Sequence, residues 1–117
     1  MRRRIYNTMK RLEIVLERDQ LPAACKVLSS HSTGYTVIPE ITGYGHHGHR
    51  ESDIVLVVTI VTKDHVDPII DLMMPLVEER SGVILVTDVQ VLRGEYFVPE
   101  LRHRNAKLEN LDHGVAL

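Results

Sequence analysis

The sequence predicts an α+β fold in which an antiparallel sheet carries two helices on one face. Three observations lead to this class. One segment alternates polar and apolar residues, as a strand with one covered face does. Two longer segments repeat apolar residues at helical spacing, each beginning near an aspartate and a proline. Two further runs are almost continuously apolar, which is typical of strands covered on both faces.

The first strand and first helix lie near the N-terminus. Residues 11–17 alternate, so one face of this strand is apolar and the other is charged. Asp19 is predicted as the N-cap of the helix, and Pro22 suits its first turn. Cys25 is expected to be a small core residue. The apolar stripe of this helix consists of Leu21, Ala24, Cys25 and Leu28.

The second and third strands flank a loop rich in glycine and histidine. Residues 35–41 form the second strand, and residues 54–61 form the third. Pro39 cannot donate a ladder hydrogen bond, so the second strand is predicted to lie at an edge of the sheet or to carry a bulge.

The second helix and the fourth strand complete the pattern. Asp64 is predicted as the N-cap of this helix, and Pro75 is expected to bend or shorten its last turns. Residues 83–92 form the fourth strand. The apolar stripe of the helix consists of Val66, Ile69, Ile70, Met73 and Val77.

The resulting order, strand-helix-strand-strand-helix-strand, predicts a ferredoxin-like βαββαβ sandwich. One face of its sheet has no helices, yet the third and fourth strands are apolar, which predicts association into a homotrimer. The domain is expected to span residues 10–95, after a flexible basic N-terminus of residues 1–9. Residues 96–117 form a C-terminal tail, in which residues 102–111 are either a short helix, disordered, or folded over a neighbour.

Composition excludes several classes of protein. The chain has 117 residues and a formal net charge of -2, which argues against a nucleic-acid binder. No apolar run approaches the ~20 residues needed to span a bilayer, so we expect no membrane insertion. No secretory signal is recognisable, and the single cysteine excludes an internal disulfide. These features predict a cytoplasmic protein.

The segment GYGHHGH, residues 43–49, is open to three interpretations. It is a plain flexible turn, a metal site, or a loop whose backbone closes on an anion. Glycines allow close approach of a ligand to the backbone, and successive N–H groups form an anion-binding concavity. Imidazoles bind zinc or copper, and protonated imidazoles bind small anions.

Three short motifs resemble the PII signal-transduction superfamily. They are GYTV at the start of the second strand, GYG at the start of the loop, and VLRG at the end of the fourth strand. The resemblance covers roughly residues 10–95. It implies a ferredoxin-like trimer that binds adenine nucleotides in clefts between subunits. It also implies that residues 43–53 are the T-loop, which changes shape with the ligand and engages a partner.

The resemblance also implies roles for individual residues. Thr36 contacts the adenine end, Ile60 and Val61 wall the base, Gly82 offers backbone contacts, and Arg93 binds phosphate. The T-loop is expected to meet an anion or the partner. The implied nucleotide-binding residues are Thr36, Gly43, Tyr44, Gly45, Ile60, Val61, Gly82 and Arg93, and the implied loop residues are His46, His47, His49 and Arg50.

The loops are shorter than in the better-known members of the superfamily. The connection before the fourth strand is only RSGV, residues 80–83, without the lysine of those members. Such trimmed loops resemble the branch associated with carboxysomes and bicarbonate transport. Without the lysine, fewer cations face the distal phosphates, so we expect ADP or AMP as ligands in preference to a tightly held ATP. The placement implies bicarbonate as a second ligand. The implied partner is a bicarbonate transporter or a carboxysome component.

Two other classes of function are weighed against this regulatory one. A trimeric divalent-metal-binding protein of the copper or zinc tolerance type would use His46, His47 and His49 as ligands. An enzyme would need a nucleophile paired with a base. His49, Glu51 and Asp53 are near in sequence, but no nucleophile or oxyanion feature joins them, so we expect no catalysis.

Overall fold

The computed structural model describes residues 4–31, 34–45, 48 and 50–112. Within these residues the chain forms four strands and three α-helices in the order β1, α1, β2, β3, α2, β4, α3. Short 3₁₀ turns precede α1 and α2 and follow β4. The bounds are β1 Tyr6–Glu17, α1 Leu21–His31, β2 Thr36–Tyr44, β3 Arg50–Val61, α2 Val66–Glu78, β4 Val83–Leu92 and α3 Leu101–Asp112.

The strands form one antiparallel sheet in the order β2-β3-β1-β4. Ile14 in the middle of β1 lies opposite Val57 of β3 and Ile84 of β4. Because β1 and β3 are central, the connections through α1 and α2 return to the same face. The predicted ferredoxin-like βαββαβ sandwich is confirmed.

The core lies between the sheet and the pair α1 and α2. Leu12, Ile14 and Leu16 point from β1 to the helices and are fully buried. The predicted helical stripes supply the other side, although Cys25 is only half-buried and lies outside the core cluster. The buried helical residues are Ala24 and Leu28 of α1 and Ile69, Met73 and Val77 of α2.

Three strands extend beyond the predicted bounds. β1 begins at Tyr6, so the last four residues of the supposed flexible segment 1–9 pair with the end of β4. The alternation at residues 11–17 did not reveal this extension because Asn7 and Met9 are buried on the opposite face from Leu12. β2 and β3 continue into the supposed loop as a paired ribbon, with Tyr44 opposite Arg50.

The second strand lies at an edge of the sheet and is irregular at its proline, as predicted. The pairing of β2 with β3 shifts register between Ile38 and Ile41, which brackets Pro39. The proline therefore sits where its missing N–H costs no ladder hydrogen bond.

Neither aspartate predicted as an N-cap caps an α-helix. Asp19 and Asp64 both lie inside 3₁₀ turns, one before α1 and one before α2. Each carboxylate has another donor, since Asp19 accepts from Arg80 and Asp64 accepts from the Thr62 hydroxyl at 2.6 Å. The helix α2 also runs through Pro75 to Glu78 rather than ending early.

The face of the sheet opposite α1 and α2 keeps exposed apolar side chains. Val83 and Leu85 of β4 and Ile38 of β2 are among the exposed large hydrophobic residues. An ion pair between Arg11 Nε and Glu13 Oε1, 2.9 Å apart, lies on the same face. We call this surface the bare face.

The C-terminal tail contains the helix α3, which is anchored on the start of β1. Asn7 lies on the face opposite Leu12, so one end of the bare face carries a helix, whereas the sequence predicted none there. Asn7 and Asn105 exchange two buried hydrogen bonds, of 3.1 and 2.9 Å. Gly94 makes room for this pair, because a Cβ atom there would lie 2.5 Å from Asn7 Oδ1. The short helix that was one alternative for residues 102–111 is observed as α3.

Candidate functional site

The residues predicted to bind a ligand fall at two opposite ends of the sheet. We call one the loop end, where β1 ends, β4 begins, and β2 and β3 leave the sheet as a ribbon. It holds Gly43, Gly45 and Gly82. We call the other the terminal end, where β4 and β3 end and β1 and β2 begin. It holds Thr36, Ile60, Val61 and Arg93.

These two groups are too far apart to meet in one protomer. β4 has ten residues and separates Gly82 from Arg93. At ~3.3 Å per residue, a strand of this length spans about 30 Å. A single small ligand therefore contacts one group or the other within a protomer.

At the loop end, most of the predicted loop 43–53 is strand. Gly43 pairs with Glu51, and Tyr44 pairs with Arg50, which is the first residue of β3 rather than part of a free loop. Gly48 has a φ of 72° and donates a 3.2 Å hydrogen bond to the carbonyl of Gly45. The predicted ligands His46, His47 and His49 lie outside the described residues.

Gly43 and Gly82 differ in what the fold requires of them. A Cβ atom on Gly43 would meet only Ile54 Cδ1, at an ordinary 3.5 Å. A Cβ atom on Gly82 would lie 2.8 Å from Val77 Cβ and 3.0 Å from the Val15 carbonyl oxygen. Packing therefore explains the glycine at position 82. Packing does not explain the glycine at position 43, because a side chain would fit there.

The base of the ribbon contains a strained residue. Asp53 adopts a left-handed φ of 63°, which is uncommon for residues other than glycine. Between the pairs Ile41–Ile54 and Gly43–Glu51, β3 carries one residue more than β2, so Asp53 belongs to a bulge. Arg18 Nε donates to Asp53 Oδ1 at 2.8 Å, which ties the bulge to the turn after β1.

A second arginine reaches the same turn from the segment before β4. Arg80 Nη1 lies 2.6 Å from Asp19 Oδ2 and 3.2 Å from Glu17 Oε2. These hydrogen bonds, the one to Asp19 first, raise the pKa of Arg80 above its ordinary range. We call Glu17, Arg18, Asp19, Asp53 and Arg80 the base cluster. Sequence reasoning missed it, although the charged run 17–19 directly after a strand was a visible signal.

At the terminal end, Ile60 and Val61 line a cavity of about 300 Å³. Its other walls come from the end of α1, the turn before α2 and the chain after β4. The Thr62 hydroxyl and His65 Nδ1 lie 2.8 Å apart at its edge. Thr36 is exposed at the start of β2, opposite Val58. The remaining lining residues are Ser30, His31, Val98 and Glu100.

Arg93 lies just beyond β4 in a left-handed conformation, with a φ of 62°. Its guanidinium carbon sits 5.0 Å from the centroid of the Tyr96 ring, a cation–π distance. Together with Arg4, Glu95 and Asn105 it lines a second cavity, of about 160 Å³. An exposed guanidinium beside a cavity is suited to binding phosphate oxygens.

A carboxylate next to Arg93 completes the anchor of α3. Asn105 Nδ2 donates to Glu95 Oε2 at 2.7 Å. The backbone N–H of Glu95 and then this amide lower the pKa of Glu95 below its ordinary value of 4.5. The ionised form of Glu95 therefore favours the docked helix.

Acid is expected to loosen α3. Because the pKa of Glu95 is lower in the folded state, its contribution is complete above the unfolded pKa and disappears as pH falls below about 4.5. Thermal melts between pH 6 and pH 3 should show a steeper loss of stability for the natural protein than for Glu95→Gln. Equal slopes would mean that Glu95 does not couple the docking of α3 to pH.

Two negative findings concern the described residues. Among them, no three His, Cys, Asp or Glu side chains converge as ligands for a metal ion. In the same part of the chain, no helix is long and apolar enough to cross a bilayer.

Comparison with known proteins identifies the family. The family model of nitrogen regulatory protein P-II matches residues 9–96. A search of curated protein sequences finds no match.

Similar solved structures include those of CPII, a nitrogen regulatory PII-like protein from Thiomonas intermedia K12. Its complex with ADP and bicarbonate is 30% identical, with a TM-score of 0.74, and the match covers 81% of this chain and 99% of that chain. Its complex with ADP, AMP and bicarbonate is 28% identical, with a TM-score of 0.72 and coverage of 81% and 98%. A complex with ADP, AMP and acetate is 29% identical, with a TM-score of 0.72 and coverage of 80% and 97%.

The match to the P-II family includes all six elements of the βαββαβ sandwich except the first three residues of β1, and the similar structures repeat its fold. Proteins of this family are regulatory signalling proteins rather than enzymes. The chain therefore belongs to the nitrogen regulatory protein P-II family.

Proposed function

We propose that this protein is a non-catalytic regulator that binds ADP or AMP in clefts between the subunits of a homotrimer. The observation that carries the proposal is the division of the predicted ligand residues between opposite ends of the sheet. One end offers the uncrowded backbone of Gly43 in the edge strand β2, and the other offers the guanidinium of Arg93. Because one protomer cannot bring them together, a shared site needs one end from each of two neighbours.

The chemistry of the two ends suits the two parts of a nucleotide. The cavity beside Ile60 and Val61 combines apolar walls with hydroxyl and imidazole groups, as a base and ribose require. The backbone of Gly43 and the side chain of Arg93 supply N–H donors for phosphate. The complexes of CPII with ADP and AMP support this assignment.

The preference for ADP or AMP over ATP rests on charge. The segment 80–83 has no lysine, and the two arginines near it already contact carboxylates. Two guanidinium groups shared with three carboxylates offset the charge of a second phosphate better than that of a third. We therefore expect affinity to fall from ADP to ATP.

The loop is proposed to carry the signal to a partner. Nucleotide binding at Gly43 changes the conformation of the predicted loop 43–53 and thereby sets affinity for that partner. Bicarbonate is the proposed second ligand, because CPII has been captured with bicarbonate and with acetate, both small carboxylate-like anions. The proposed partner acts in inorganic carbon metabolism, as a bicarbonate transporter or a carboxysome component, in the cytoplasm.

Titration calorimetry with AMP, ADP and ATP, with and without bicarbonate, tests the proposal. The natural protein is expected to bind ADP and AMP more tightly than ATP. Arg93→Ala should weaken ADP binding by about tenfold, since a charge-assisted contact to phosphate is lost. Lys26→Ala is the matched control, because it removes an exposed cation from the middle of α1. No heat with any of the three nucleotides would contradict the proposal.

Mixed trimers test whether the site is shared. Gly43→Val and Arg93→Ala damage different halves of the proposed cleft. When the two variants are unfolded and refolded together, a mixed trimer contains a cleft built from two intact halves. ADP binding should therefore recover in the mixture, although each variant alone binds weakly. Binding no better than the average of the two variants would place the site within one protomer.

A further inference from the structure

The two arginines of the base cluster are held by carboxylates that are easily exchanged. Arg18 contacts Asp53, and Arg80 contacts Asp19 and Glu17. The arginine side chains are 40% and 46% exposed, so water reaches both guanidinium groups. Exposed ion pairs contribute only about 0–1 kcal/mol, so a stronger anion can replace these partners at little cost.

The base cluster lies between the two glycine segments of the loop end. Arg80 is two residues before Gly82, and Asp53 is two residues after Glu51, which pairs with Gly43. Arg18 contacts Asp53, and Asp19 contacts Arg80. Because Arg18 and Asp19 are consecutive in one 3₁₀ turn, this turn links both glycine segments. A phosphate bound at either glycine segment thus lies near this cluster.

The charge of the cluster opposes a phosphate as long as its present pairs persist. Three carboxylates and two guanidinium groups leave a net charge of −1. The segment RSGV adds no lysine. Favourable contact with a phosphate therefore requires that at least one guanidinium group leave its carboxylate.

We propose that Arg18 and Arg80 recognise the terminal phosphate of the bound nucleotide by exchanging their carboxylate partners for it. This inference rests on the proposed nucleotide site and names the cations that determine its selectivity. The carboxylates of Asp53, Asp19 and Glu17 then compete with the ligand for the same guanidinium groups. Because the α-phosphate sits nearer the ribose, ADP gains more from this exchange than AMP does.

The exchange also connects the ligand to the ribbon. Asp53 keeps its left-handed conformation at the bulge while Arg18 holds its carboxylate. When Arg18 turns to a phosphate, Asp53 loses this partner, and the strained base of the ribbon is free to rearrange. Occupancy of the phosphate site is thereby coupled to the geometry of the loop.

Variants on both sides of the exchange test the proposal by calorimetry with ADP and AMP. Arg80→Ala and Arg18→Ala should each weaken ADP binding by about tenfold and AMP binding by less than about threefold. Asp53→Asn removes the competing charge and keeps a residue that tolerates the left-handed conformation. It should strengthen ADP binding by about threefold. Lys26→Ala again serves as the control.

ADP affinity is expected to fall in the two arginine variants and to rise in Asp53→Asn. This contrast separates phosphate recognition from a structural role, because damage to the fold would weaken binding in every variant. Arginine variants that lose no more affinity than Lys26→Ala would overturn the inference while leaving the nucleotide site intact. Tighter binding by Asp53→Asn is required as well, and weaker binding would also overturn it. If the natural protein binds neither ADP nor AMP, the proposed function itself fails.

Trypsin cleavage after Arg50 reports the coupling. At saturating ADP, the natural protein should be cut after Arg50 at a rate several-fold different from the rate without ligand, because the release of Asp53 rearranges the base of the ribbon. Arg18→Ala, also saturated with ADP, should show a smaller change, because the exchange at Asp53 is absent. An equal change in both proteins would show that the loop does not sense this ion pair.

Discussion

Gly82→Ala is expected to lower the stability of the protein by about 2 kcal/mol, as overpacked sites in well-packed proteins do. The new methyl group would lie 2.8 Å from Val77 Cβ and 3.0 Å from the Val15 carbonyl oxygen. Both neighbours belong to rigid elements, since Val77 is buried in α2 and Val15 is paired in β1. The segment before β4 must therefore move away from the core to accept any side chain.

Thermal unfolding measures this effect. For a domain of this size, a loss of about 2 kcal/mol corresponds to a fall in melting temperature of roughly 10 °C. Gly43→Ala is the matched control, because its methyl group would meet only Ile54 Cδ1 at 3.5 Å. This control should change the melting temperature by no more than about 2 °C. Equal melting temperatures for the two variants would contradict the packing account of Gly82.

The contrast between these glycines also bears on function. Weaker ADP binding by Gly82→Ala would have two explanations. The added methyl group can block the approach of the ligand to the backbone, or the change in packing alone can displace the phosphate-binding segment. Weaker binding by Gly43→Ala at unchanged stability has only one, which is a blocked approach to the backbone. Position 43 is therefore where the glycine of the predicted site is best tested.

The fold was predictable because its signals are local and periodic. The alternation around Leu12 and the stripe through Ile69 and Met73 identify buried faces without knowledge of the partners that cover them. The bounds were less predictable. Asn7 and Met9 are buried, but they lie outside the main core cluster and on the opposite face of β1 from Leu12. The alternation around Leu12 therefore does not predict their burial.

The candidate site was predictable only in part, because side-chain partners depend on distant segments. Asp19 has the residue type and position of an N-cap, yet Arg80, sixty-one residues away, takes its carboxylate. Arg18 and Asp53 are thirty-five residues apart, and nothing local indicates that they meet. Motifs placed Gly43 and Arg93 close to the ends of strands, although Gly43 lies inside β2 rather than in a loop. Only the register of the sheet shows that the two residues lie at opposite ends.

Leu85→Asp is expected to dissociate the trimer. Leu85 is 48% exposed on the bare face, and it lies opposite Glu13 of β1. Val83 on the same strand and face is exposed to a similar extent, so the two side chains form an apolar patch. A carboxylate at position 85 would be buried beside Glu13 in a subunit interface, and an unpaired buried charge costs several kcal/mol.

Leu72→Asp provides the matched control. Leu72 is 47% exposed, almost the same as Leu85, but it lies on α2 and thus on the other side of the sheet. Sedimentation velocity should give three times the chain mass of 13.3 kDa for the natural protein and for Leu72→Asp. Leu85→Asp should sediment as single chains. If the bare face is not the interface, the two aspartate variants will behave alike.

The same variant decides whether assembly and ligand binding are linked. In a single chain, the ten residues of β4 keep the glycines of the loop end apart from Arg93. Monomeric Leu85→Asp should therefore lose ADP binding although every proposed ligand residue is unchanged. Raising its concentration until trimers reform should restore binding in parallel with the increase in mass. Full ADP affinity in the monomer would instead mean that one end of the sheet is a complete site, and the division of roles between neighbouring subunits would be wrong.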